Sequence, residues 1–123
     1  MTELETAMRA ALDRAPGVAA IACMDGRAGL VLGVCVRGQV PAETVELAAL
    51  SAPDLCSAPP IAPDDADHPC PSALVTSETW VHAYARVPDR PDLVVMGLAE
   101  RDTNVGLLRA WLGEVAGQLG RGP

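Results

Sequence analysis

Apolar positions fall into blocks of two different periods. Leu4, Met8, Ala11, Leu12 and Ala15 recur at helical spacing between Thr2 and Ala15, and Thr2 with Glu5 three residues on forms a capping box. This predicts an amphipathic helix, stopped by Pro16-Gly17. Val18 to Met24 and Leu30 to Val36 are short apolar runs separated by the turn chemistry of Asp25-Gly26-Arg27-Ala28-Gly29, which predicts a β-hairpin. Pro41 suits the first turn of a helix, and Ala42 to Ala52 continues with helix formers. There Val45, Ala48, Ala49 and Ala52 share one side and Leu47 and Leu50 lie beside them, so this helix is apolar around more of its circumference than a lone surface helix needs. It is either sandwiched within the domain or packed against another chain.

Six prolines between Pro53 and Pro71, with the acidic run Asp64-Asp65-Ala66-Asp67, rule out a helix or central strand there and predict a long loop over 53–71. Three extended segments follow, Ser72 to Glu78, Trp80 to Val87 and Leu93 to Ala99, the last two joined by a turn over Pro88 to Asp92. Trp80, His82, Tyr84 and Arg86 alternate with Val81, Ala83, Ala85 and Val87, the two-residue period of a strand with one apolar and one amphipathic face. Asp102-Thr103-Asn104 offers caps to a final helix with Val105, Leu108, Leu112, Val115, Ala116 and Leu119 on one stripe and Gly120 as its stop. The order α-β-β-α-β-β-β-α predicts an α+β fold: one five-stranded antiparallel sheet, the terminal helices on one face and the middle helix on the other.

The chain has 123 residues, enough for one domain over 1–123 and too few for a second catalytic lobe. Half of it is hydrophobic, which supports a core, although Trp80, Tyr84 and Trp111 are its only aromatic rings. A net charge of −7 repels phosphate backbones and anionic lipid, so nucleic acid is not expected as a partner. All nine basic residues are Arg, which excludes Schiff-base chemistry and a P-loop lysine. No run is long enough to insert in a membrane and none reads as a secretory segment, so a cytoplasmic location with reduced thiols is expected. Cys23 and Cys35, inside strand-like runs, read as small core residues.

Pro16-Gly17-Val18, Met24-Asp25-Gly26 and above all Asn104-Val105-Gly106-Leu107-Leu108-Arg109 give the chain a pattern that resembles the roadblock/dynein light chain family, in particular its bacterial MglB-like branch, over residues 3–119. Arg27-Ala28-Gly29 makes the hairpin longer than is usual there, and the Pro-rich loop is longer too. The resemblance implies a homodimer or family heterodimer in which the middle helices of two subunits pack together and the following strands pair. The interface side chains would be Val45, Leu47, Ala48, Ala49, Ala52, Leu74 and Thr76. It further implies a non-catalytic regulator, without a cofactor, that binds a small Ras-like GTPase and modulates its nucleotide cycle, with a protein-interaction adaptor or small-ligand sensor as the alternative.

Other chemistry has less support in the sequence. Arg27 and Arg90 are turn arginines that an arginine finger would need, yet solvated charge is the ordinary state of such residues. Cys56, His68 and Cys70 flank the acidic loop and could join in a metal site, though without paired ligand spacing, and a Cys56–Cys70 disulfide is opposed by a reducing compartment. No nucleophile motif surrounds His68 or His82. The Trp80, His82, Tyr84, Arg86 face mixes apolar bodies with polar tips and is either a partner surface or a face covered by a terminal helix.

Overall fold

The computed structural model describes residues 3–38, 40–41, 43–45, 72–76, 79–88 and 90–121. Helix α1 (Glu3–Asp13) carries Glu3 and Glu5 in its first turn, where negative charge complements the helix dipole. Met8, Ala11 and Leu12 are buried and Leu4 and Ala15 pack beside them, the stripe that the spacing predicts. Thr2 of the expected capping box lies outside the described residues. Beside the backbone N–H groups of the turn that follows, a distant side chain donates to carbonyls at the end of α1 and the start of β1. Arg37 Nη1 donates to the Ala15 and Val18 carbonyls at 3.0 Å each, and its Nη2 donates to the Leu12 carbonyl.

Strands β1 (Val18–Asp25) and β2 (Leu30–Val36) form the expected hairpin. Asp25 builds the turn: its Oδ1 accepts the Arg27 and Ala28 N–H groups at 2.9 and 3.1 Å, and its carbonyl accepts that of Gly29 at 2.9 Å. Gly29 has φ +69°, the left-handed region that favours glycine. Strands β3 (Ser72–Thr76), β4 (Trp80–Val87) and β5 (Arg90–Glu100) complete an antiparallel sheet of order β2-β1-β5-β4-β3. The turn over Pro88 to Asp92 is shorter than predicted, because Val87 pairs directly with Arg90 and β5 starts there.

Helix α2 (Val105–Arg121) opens on Asn104, whose Oδ1 accepts the Leu107 N–H at 3.1 Å. It runs through Gly120 where a stop was expected, and there the missing side chain serves packing: a Cβ would lie 2.5 Å from the Pro88 carbonyl oxygen. Leu108, Leu112, Val115 and Ala116 are buried, but Val105 is 42% exposed, ahead of the sheet contact. Trp111 joins the buried side instead, its Nε1 donating to the Ala11 carbonyl at 3.0 Å and its ring lying over Gly97.

Both helices cover one face of the sheet, over Ile21, Cys23, Cys35, Val81, Ala83, Ala85, Val87, Val95 and Ala99. The other face carries Ala20, Ala22, Met24, Tyr84, Val94, Met96 and Leu98, and Val45 is buried with them. Each fully buried Val, Leu or Met contributes about 1.5–3 kcal/mol, so the sheet is stabilised from both sides. Residues 43–45 are helical and start at Pro41, whose carbonyl accepts the Thr44 N–H at 3.1 Å. The rest of the predicted middle helix and the Pro-rich loop lie outside the described residues.

Candidate functional site

The sheet has two edges, and they differ in how their backbone is treated. Across the Ala20–Val36 pair, Arg37 N donates to the Ala19 carbonyl at 2.8 Å, which makes that pair the non-hydrogen-bonded kind. The N–H and C=O of Val36 therefore point away from β1, toward the free side of β2. There Arg9 Nη1 donates to the Val36 carbonyl at 3.2 Å. At the other end of β2, Cys23 pairs with Gly33 but Met24 with Val31, so Leu32 is an extra residue and the strand is bulged. A charged cap and a bulge are two of the devices by which proteins close an edge to further pairing.

Among the described residues the β3 edge has neither device. Its five residues pair with β4 in unbroken register from Ser72–Ala85 to Thr76–Val81, and its sequence holds no charge and no proline. Leu74 and Val75 are 39% and 37% exposed and Thr76 is exposed. Val75 lies opposite His82 and so shares the face of Val45, whereas Leu74 and Thr76 point to the face of the terminal helices. Val75 is absent from the sequence-derived list because its apolar character alone does not distinguish an edge strand from a central one.

Of the two readings of the amphipathic side of β4, partner surface or helix-covered face, the structure decides one: that side is not covered by a terminal helix, since those lie over Val81, Ala83, Ala85 and Val87 on the other side. Within it Tyr84 is 2% exposed, a core residue stacked on His82 at a ring separation of 6.5 Å. Trp80, His82 and Arg86 are half-buried. Burial lowers the His82 pKa from the ordinary histidine value, which favours the neutral ring. Val45 likewise leaves the set of side chains a partner could touch, because it is 0% exposed against its own sheet. Leu47, Ala48, Ala49 and Ala52 lie outside the described residues.

Reactive groups are placed as core or solvent. Cys23 is buried and burial pushes its thiol up to about 11; Cys35 is also raised by burial, and its Sγ lies 3.7 Å from the Glu5 carbonyl. Neither favours a thiolate nucleophile. Arg27 stands exposed in the hairpin turn, and Arg90, assigned by sequence to a turn, opens β5. Cys56, His68 and Cys70 fall outside the described residues, and no group of three metal-ligating side chains occurs among those described. No described helix is long and apolar enough to cross a membrane.

No protein-family model and no curated protein matches the sequence. Solved structures do match in shape. Myxococcus xanthus MglB aligns with TM-score 0.69 and 13% identity over 98% of this chain and 94% of that one. A roadblock/LC7 domain from Streptomyces avermitilis gives 0.67 and 14% over 94% and 92%, and Myxococcus xanthus MglC gives 0.64 and 15% over 94% of both. The chain has the roadblock/LC7 fold.

Proposed function

We propose that the protein is a non-catalytic, dimeric scaffold in the cytoplasm that binds a small Ras-like GTPase and modulates its nucleotide cycle. Two copies pair through β3 and through segment 41–52, where Leu47, Ala48, Ala49 and Ala52 join Leu74, Val75 and Thr76 in the contact. The observation that carries this reading is the difference between the edges: β2 is capped and bulged, while β3 is regular, uncharged and exposed. An added strand would satisfy the outward N–H and C=O groups of β3 and extend the sheet.

Likeness to MglB and MglC supports the regulatory part of the proposal. A GTPase partner would bring its own phosphate-binding lysine, which this chain of nine arginines and no lysine lacks. Its hydrolysis would change through the placement of its own loops, without an arginine from Arg27 or Arg90. Light scattering at micromolar concentration tests the dimer; the expected mass is twice the 12.7 kDa of one chain, and monomer throughout overturns the pairing. Co-purification from the source cells, followed by a GTP hydrolysis assay, tests the partner. Recovery of the dimer with no P-loop protein removes the GTPase and leaves an adaptor.

A further inference from the structure

Hydrogen bonding alternates along each strand of an antiparallel sheet, and its phase can be carried from β2 to the opposite edge. Because Ala20 and Val36 are a non-hydrogen-bonded pair, the N–H and C=O of Ala20 turn to β5, where Ala20 lies opposite Leu98. Gly26, in phase with Ala20, agrees: its N–H donates to the Asp92 carbonyl at 2.7 Å. Leu98 therefore directs its backbone groups to β1, which leaves Gly97 to bond β4 through Ala83, its partner in register. The groups of Ala83 are then turned to β5, and Leu74, opposite Ala83 on β3, turns its own away from β4. By the same phase the outward groups of β3 belong to Ser72, Leu74 and Thr76, while those of Ala73 and Val75 bond β4.

Outward residues spaced evenly about Leu74 make this edge its own complement. A second copy of β3 running antiparallel satisfies all of them in one register, with Leu74 opposite Leu74 of the partner subunit and Ser72 opposite Thr76 of the partner subunit. A slip of one residue sets outward groups against groups already bonded to β4. A slip of two leaves one outward residue of each copy without a partner. A two-fold axis normal to the sheet relates such strands, so each contact occurs twice and the terminal helices of both copies stay on one face. Like charges directly opposite one another are destabilising across strands, and β3 carries none although the whole chain bears −7. Resting on the proposed pairing through β3, we infer that the axis passes through Leu74, which meets its own copy, while the backbone of Val75 lies opposite that of Ala73 of the partner subunit.

The test joins single cysteines with light scattering on the full chain. In the inferred register the two Cα atoms at position 74 lie about 5.5 Å apart, within the span of a disulfide, while those at position 75 are out of register and beyond about 7 Å. Under mild oxidation Leu74→Cys is expected to form a covalent dimer about tenfold faster than Val75→Cys. Mass spectrometry identifies the linked peptide, and wild type reports any link through Cys56 or Cys70. Dimer mass with Val75→Cys linking faster, or with neither variant linking, overturns the register and leaves the dimer standing. Monomer mass for wild type overturns the pairing and the register together. A second measurement needs no substitution. In a dimer of one isotopically labelled and one unlabelled copy, a nuclear Overhauser contact between the Hα atoms of Ala73 and Val75 is expected across the interface, because a non-hydrogen-bonded pair brings the backbones closest. A contact between the two Val75 Hα atoms, or between the two of Ala73, moves the axis off Leu74 and overturns the inference.

Discussion

A Cβ at Gly113 would have nothing within 4 Å, while one at Gly120 would meet the Pro88 carbonyl oxygen at 2.5 Å. Helix propensity favours alanine at both by about 1 kcal/mol, but the backbone contact at 120 forces the last turn of α2 off the β4–β5 turn. Gly113→Ala is expected to stabilise by about 0.5–1 kcal/mol and Gly120→Ala to destabilise by about 1–3 kcal/mol in urea unfolding; the same sign for both refutes the assignment. Arg37→Ala removes three charge-assisted hydrogen bonds that tie β2 to the end of α1 and the start of β1, and is expected to cost about 1–3 kcal/mol in the same assay. For His82 the sign runs against acid. Below pH about 6.5 the unfolded chain takes up a proton that the folded one resists, so stability is lost as pH falls from there. His82→Asn should therefore lose less melting temperature between pH 7 and pH 5 than wild type, with His68 and the carboxylates common to both.

The two edge strands allow a matched comparison at the level of elements, because Leu32 on β2 and Leu74 on β3 are 42% and 39% exposed. Leu74→Lys places a charge on the open edge and is expected to shift the protein to monomer in light scattering, whereas Leu32→Lys leaves the mass unchanged. Most elements were legible from the sequence, since α1, the hairpin, β4 and the body of α2 follow from local periodicity and turn chemistry. What local pattern lacks is the side to which a pattern turns. Alternation in β4 separates two faces without saying which meets the helices, so the Trp80, His82, Tyr84, Arg86 face stayed open between a partner surface and a helix-covered one, and Tyr84 lies in the core. Val45 was misplaced for the same reason, on a helix apolar nearly all round. Arg37 escaped notice because its partner, α1, is distant in sequence.

For the whole molecule, the face bearing the terminal helices is complete within one subunit, with core residues such as Met8, Leu12, Leu112 and Val115 at 2% exposure or less. Among the described residues the edge strand without a cap or bulge is β3. Thiol reactivity reports this closure: Cys23 and Cys35 are expected to resist a disulfide reagent at pH 8 in the folded protein and to react on unfolding, and prompt reaction of Cys23 would show that the layer opens. The asymmetry of the margins also limits growth. A sheet adhesive on both sides would add copies endlessly into a ribbon, the geometry of aggregation. With Arg9 and the Leu32 bulge blunting one side, the proposed association through β3 would consume the open edge among the described residues and halt at a ten-stranded pair.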